Sequence, residues 1–233
     1  ISLPFKLDTL GQLFVLNQNA KFVGGKVNTK YHEGSAVALT DGSLIFTRNN
    51  MFNGKTSKSK EGINKLKLFT ASGPNWETIT AFPYNNDEYS VGHPAINKAG
   101  TLLIFSSDMP GGFGGVDLYY SKRSSITAAW ETPVNMGKLV NTEGDEMFPT
   151  IAKDDLLYFA STGHPGLGGL DIFQVNLKDE LATSTVTNLG APLNSSVDDF
   201  GLIGTADGKS GYFTSNRRGN DDIYSFTALQ PVV

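Results

Sequence analysis

Apolar positions along the chain fall in short runs rather than helical stripes. Four of the runs share one shape: apolar, apolar, Phe, then small or polar residues. They are Leu44-Ile45-Phe46-Thr47-Arg48, Leu103-Ile104-Phe105-Ser106-Ser107, Leu157-Tyr158-Phe159-Ala160-Ser161 and Gly211-Tyr212-Phe213-Thr214-Ser215, with phenylalanines 59, 54 and 54 residues apart. Just before each lies a turn: Thr40-Asp41-Gly42-Ser43, Lys98-Ala99-Gly100-Thr101, Lys153-Asp154-Asp155 and Ala206-Asp207-Gly208-Lys209. Such turns join antiparallel strands, so each copy contains a β-hairpin. A third strand follows at Val116-Asp117-Leu118-Tyr119, Leu170-Asp171-Ile172-Phe173 and Asp221-Asp222-Ile223-Tyr224, with Leu66-Lys67-Leu68-Phe69 as the divergent first copy. A fourth begins at Trp76-Glu77-Thr78 and Trp130-Glu131-Thr132, again 54 residues apart.

Four-stranded units recurring about every 50 residues predict an all-β fold, a β-propeller of four-stranded antiparallel blades. A parallel β-helix needs much shorter repeats, and a sandwich does not repeat its turns and aromatics in register. The expected units are 28–84, 85–140, 141–193 and 194–227, with 1–27 and 228–233 as closing segments of a single domain over 1–233. Asn28-Thr29, Asn141-Thr142 and Asn194-Ser195, and more weakly Asn85-Asn86, mark the crossings from one unit to the next. Gln12-Leu13-Phe14-Val15-Leu16 reads as one more strand and residues 21–27 as the end of a unit. Five blades are therefore expected, the last built from both termini, an arrangement that hides sheet edges.

Composition removes several chemistries. The 233 residues contain no cysteine, which excludes disulfides, thiolate metal sites and cysteine nucleophiles. A net charge of -4 argues against nucleic acid as a partner. No apolar run nears the roughly 20 residues of a membrane-crossing helix, so no membrane insertion by these residues is expected. The start, Ile1-Ser2-Leu3-Pro4-Phe5-Lys6, lacks a signal-peptide pattern and reads as that of a mature chain or an excised domain.

The wording of Ser215-Asn216-Arg217-Arg218-Gly219-Asn220-Asp221-Asp222-Ile223-Tyr224 and of Gly111-Gly112-Phe113-Gly114-Gly115-Val116-Asp117-Leu118-Tyr119 resembles the WD-like (PD-type, TolB-like) propeller repeat of bacterial envelope proteins. Asn141-Thr142-Glu143-Gly144-Asp145-Glu146-Met147-Phe148-Pro149 and Gly166-Leu167-Gly168-Gly169-Leu170-Asp171-Ile172-Phe173 are similar to the version in multidomain OmpA-family proteins of Bacteroidota, some of which serve the type IX secretion and gliding apparatus. The resemblance covers nearly the whole chain. It implies a non-catalytic interaction or scaffold module, periplasmic and associated with the outer membrane, whose partner is a protein of the cell envelope. Peptidoglycan contact would belong to a separate OmpA-like domain outside these residues. The first unit departs from the pattern. Lys67 stands where the others carry Asp117, Asp171 and Asp222, and residues 50–62 form a polar, lysine-bearing insertion, either disordered or the most individual part of the surface.

Each aligned aspartate sits where a glycine-rich turn enters a strand, a place where a carboxylate accepts hydrogen bonds from turn amides. Asp117, Asp171 and Asp222 are thus expected to be structural. The pairs Asp145/Glu146 and Asp198/Asp199 suggest paired carboxylates for glycoside hydrolysis, but they recur with the loop, which favours architecture. Gly111 to Asp117 approaches a calcium β-roll motif without its nine-residue period. His32, His93 and His164 have no metal-ligand spacing, and no metal or cofactor is expected. No Gly-x-Ser-x-Gly elbow occurs. Trp76 and Trp130 occupy equivalent repeat positions, which makes them packing residues before sugar platforms.

In a propeller the turn between second and third strands lies at the same end as the crossing into the next blade. Both are longer here than the turns at the other end, so that end is expected to hold a recognition surface: Phe113, His164, Leu167, Arg217 and Arg218, with His93 near the channel mouth. The expected function is a non-enzymatic protein-binding module. The alternatives are a glycan-binding or glycan-degrading propeller, for which Glu61, Glu88 and Glu180 are unrepeated acids, and a propeller that gates a peptidase.

Overall fold

The computed structural model describes residues 5–7, 25–152, 155–178, 181–205 and 209–228. In chain order the strands are β1 (Phe5–Leu7), β2 (Glu33–Ala38), β3 (Leu44–Asn49), β4 (Met51–Phe52), β5 (Lys55–Thr56), β6 (Leu66–Ser72), β7 (Thr78–Ala81), β8 (Val91–Ile96), β9 (Leu102–Ser107), β10 (Asp117–Lys122), β11 (Val134–Asn135), β12 (Glu146–Ile151), β13 (Leu156–Ser161), β14 (Asp171–Lys178), β15 (Leu181–Ala182), β16 (Thr187–Asn188), β17 (Asp199–Gly204), β18 (Ser210–Ser215) and β19 (Asp222–Ala228). All pairings between them are antiparallel, and a 3-10 turn lies at Pro74–Trp76.

The chain divides into two compact units. The first, Lys21–Met136, holds the sheets β2-β3-β6-β7 and β8-β9-β10-β11. The second, Ile1–Ala20 with Gly137–Val233, holds β12-β13-β14, extended by β15 and β16, and the sheet β17-β18-β19-β1. Three of the sheets are each drawn from one repeat, the other takes in β1 as well, and together they are four blades, not five. The fourth repeat contributes three strands, and its outer edge is taken by β1, with Phe5 opposite Ala228 and Leu7 opposite Phe226. The termini therefore do share a blade, but they complete the fourth instead of adding another. The strand expected at Gln12 to Leu16 lies outside the described residues, as do residues 21–24 and Glu180.

The repeated phenylalanine is the centre of every blade. Phe46, Phe105, Phe159 and Phe213 are all at most 1% exposed. Each stands directly across the ladder from an aromatic on the third strand: Phe69, Tyr119, Phe173 and Tyr224. The ring pairs are 6.0, 6.2, 6.0 and 5.6 Å apart, a cross-strand arrangement that adds to the burial of apolar area. The first strand of every blade carries a bulge opposite this region, between Glu33 and Ala36, Gly92 and Ala95, Met147 and Thr150, and Phe200 and Ile203. His93 (φ 51°), Phe148 (φ 52°) and Gly201 (φ 64°) are the equivalent bulge residues of the last three blades.

Candidate recognition site

The turns and crossings are built by side chains that bond to backbone. Asp117, 1% exposed, accepts from the Phe113 amide at 2.6 Å, the Gly114 amide at 3.2 Å and the Asn135 side chain at 2.7 Å. Asp171, with no exposed surface, accepts from the Leu167 amide and, at 3.3 Å, from the Gly168 amide. A Cβ on Gly112 or Gly166 would run into these carboxylates, which is why the turns carry glycine there. Asp222 is only half-buried. The tips held in this way present Phe113 and Leu167, 39% and 54% exposed.

Lys67 replaces the aspartate in the first blade and works differently. It is 2% exposed, and its ammonium donates to the carbonyls of Asn86 and, at 2.9 Å, Tyr89, holding the crossing into the second blade. Burial pulls its pKa down to about 8, with Asp87 and Asp108 acting in the opposite sense. The turn it leaves unattended is the insertion, which is ordered. Asn53-Gly54, with φ of 49° and 77°, closes the β4–β5 hairpin as a type I′ turn. Asn64 bonds across the base to the Asn50 amide at 2.7 Å.

Two of the crossings share a clasp. Asn85 caps both backbone groups of Leu68, at 3.0 and 2.8 Å, and Asn194 does the same to Ile172, at 2.8 and 2.9 Å. An acid on the first strand then secures the next hydroxyl residue. Glu33 accepts from Thr29 at 2.6 Å, Glu146 from the Thr142 hydroxyl at 2.6 Å and Asp199 from the Ser195 hydroxyl at 2.7 Å. A cationic or imidazole group completes three of the four. Arg48 donates to Glu33 (3.1 Å) and to the Lys26 and Val27 carbonyls (2.8 and 2.6 Å). Arg217 donates to Asp199 (2.5 Å) and to the Pro192 and Leu193 carbonyls (3.0 and 2.6 Å). His164 Nε2 meets the Val140 carbonyl at 2.8 Å, which requires the proton on that nitrogen. Each also lies against its blade's aromatic pair: Arg48 on Phe46 and Phe69, His164 on Phe159 and Phe173, Arg217 on Phe213 and Tyr224. In the second blade the acid and the cation are both missing, and Val91 and Met109 stand in their places.

The expected recognition residues thus separate. Phe113 and Leu167 are exposed turn tips. Arg218 is exposed and reaches the Tyr224 ring at 5.9 Å. The polar groups of His164 and Arg217 are engaged by their own crossings. His93 belongs to the first unit and His164 to the second. His93 lies in the β8 bulge, where its amide donates to Thr47 at 2.9 Å and burial lowers its pKa to about 4. Glu146 and Asp199, with no exposed surface, hold crossings. Trp76 and Trp130 pack against apolar clusters of the first unit.

The first blade holds one feature that no repeat position marks. A depression of about 400 Å³ lies in the first blade between the crossing at Gly25 to Thr29 and the β4–β5 hairpin, with Arg48, Met51 and Ile79 in its wall. Gly25 makes it possible, since a Cβ there would strike the Asn75 and Trp76 carbonyls. The legible signal was charge: residues 26–67 carry eight Lys or Arg and three Asp or Glu, a balance of +5 in a chain of net charge -4.

No protein-family model matches the chain, and no curated protein does. Solved structures do match. A gluconolactonase from Xanthomonas campestris aligns with TM-score 0.55 and 9% identity over 96% of this chain and 64% of its own. A luciferin-regenerating enzyme aligns with TM-score 0.52 and 11% identity over 84% and 61%. A TolB-like protein from Agrobacterium tumefaciens aligns with TM-score 0.52 and 15% identity over 87% and 63%. The chain spans just over three-fifths of the length of these structures. The fold class is the β-propeller, with a TolB-like propeller among its structural neighbours. The expectation of a non-enzymatic protein is corrected by the same comparison. Propellers of this shape include named enzymes, and at such identities the likeness shows the fold alone, so fold and repeat type do not make the chain non-catalytic.

Proposed function

We propose that this propeller docks a protein partner of the bacterial cell envelope, in the periplasm beside the outer membrane, through its apolar turn tips. The observation that carries the reading is an exposed apolar tip on a turn held by a buried carboxylate, found once in each unit: Phe113 above Asp117 in the first and Leu167 above Asp171 in the second. Rigid turns lose little conformational freedom on binding, and exposed aromatic and aliphatic tips on such turns act as anchors. The repeat resemblance supports the location. It also supports a place within a larger OmpA-family protein, with peptidoglycan contact in another domain.

The test is capture of envelope proteins from a Bacteroidota extract by the chain and by the double variant Phe113→Ala/Leu167→Ala, followed by measurement of the affinity for the protein recovered. Loss of an anchor worth about 2 kcal/mol, at whichever tip the partner engages, lowers affinity roughly 30-fold. Equal affinity of the two forms would overturn the proposal.

A further inference from the structure

The depression in the first blade has the makings of a small-molecule site that is independent of the turn tips. Its volume, about 400 Å³, falls in the ordinary range of ligand pockets. A charged side chain is built into its wall: Arg48, 3% exposed, with its Nε on Glu33 and its Nη2 on two backbone carbonyls. Nη1 takes no part in these bonds, so one nitrogen of a held guanidinium is left for the depression that Arg48 lines. Lys26 is exposed on the same wall and is paired with no acid among the described residues.

The charges define what fits. Glu33 already offsets the guanidinium, at 3.1 Å, which leaves a surplus of about one positive charge at Lys26. That matches a monoanion better than a phosphate dianion. A planar carboxylate is also the group that arginine N–H donors recognise best. The rest of the lining is mixed: the Asn53 carboxamide at the hairpin tip offers donors and an acceptor, while Met51 and Ile79 supply an apolar patch. A hydroxylated ring with one carboxylate satisfies all three features, and the basic balance of residues 26–67 would draw such an acid toward this part of an otherwise acidic chain.

We propose that this depression binds a sugar acid, its carboxylate between Arg48 and Lys26, its ring against Met51 and Ile79 and its hydroxyls toward Asn53. The proposal does not rest on the docking of a protein by Phe113 and Leu167.

The experiment is titration of the chain with galacturonate and glucuronate by calorimetry and ligand-observed NMR, with galactose and a glutamate-rich peptide as comparison ligands. Because Arg48 also holds a crossing, the decisive variant is Lys26→Glu, at an exposed side chain, with Asn53→Ala as the second. The expected result is saturable uronate binding at least about tenfold tighter than that of galactose, weakened about tenfold or more by Lys26→Glu and by added salt. Binding should be unchanged in Phe113→Ala/Leu167→Ala, which separates this site from the turn tips. Four results would overturn the proposal: no saturable uronate binding, equal binding of galactose, indifference to Lys26→Glu, or tighter binding of the acidic peptide.

Discussion

The second blade shows what a crossing looks like without its ion pair, and that comparison makes a quantitative prediction for the fourth. Asp199 has no exposed side-chain surface and Arg217 is 17% exposed, with 2.5 Å between them. Arg217→Met leaves the carboxylate buried beside the Ser195 hydroxyl and amide alone, and removes the donors to the Pro192 and Leu193 carbonyls. Breaking one side of a buried pair typically costs 3–5 kcal/mol, and the partial exposure of Arg217 places this case near about 3. Asp199→Val should cost about 2–3 kcal/mol, since a guanidinium with some access to water is less severely stranded. The double variant recreates the Val91/Met109 pair and removes the stranded charge, leaving the cost of the unmet Ser195 and carbonyl groups, about 3 kcal/mol in all. The coupling between the two sites is then about 2–3 kcal/mol. Urea denaturation of the four proteins measures it, provided the slopes agree. In melting temperature, the Arg217→Met loss corresponds to roughly 6–12 °C. Additivity of the single changes within about 0.5 kcal/mol would refute the reasoning, because it would mean that acid and arginine do not depend on each other.

Asp171→Ala should remove the acceptor for the Leu167 and Gly168 amides, cost about 1–3 kcal/mol and make the turn at residues 163–170 sensitive to proteolysis; unchanged cleavage there would contradict the anchoring role. His93 gives a pH dependence. Its folded pKa is about 4 against 6.5 for an unperturbed ring, so between those values the unfolded chain takes up a proton that the folded one refuses. Its contribution is complete above pH 6.5 and declines as pH falls toward 4, by roughly 2 kcal/mol after allowance for partial exposure. His93→Gln should flatten that part of the stability profile measured from pH 7 to 4.5, and a profile of unchanged slope would reject the assignment.

The first blade joins two departures from the repeat. Lys67 abandons the turn it would otherwise hold, as Asp117 and Asp171 do, and secures the next crossing. The turn so released is lengthened into the β4–β5 hairpin, which must stabilise itself through Asn53-Gly54 and the Asn50–Asn64 bonds. That hairpin is also the wall that creates the depression. A unit that looks merely divergent in sequence is the one that has acquired a surface of its own.

Sequence alone determined the blades, because their signals are local. Alternation, a turn before each repeated phenylalanine and a constant period need no knowledge of distant partners, since each meander pairs strands that are neighbours in the chain. The asparagines at the crossings were legible for the same reason. Blade number was not, because it depended on where one short strand pairs, and β1 meets β19 across nearly the whole chain, for which no local pattern is diagnostic. The candidate site divides in the same way. Phe113 and Leu167 follow from turn position, whereas the roles of Arg48, His164 and Arg217 do not: two arginines and a histidine, at three offsets from the repeated phenylalanine, reach equivalent carbonyls. A side chain's reach makes such positions interchangeable in space while they remain unaligned in sequence. The depression required tertiary structure altogether, since it exists only where Gly25 lets the crossing pass against Asn75 and Trp76 and where the hairpin folds back beside Arg48.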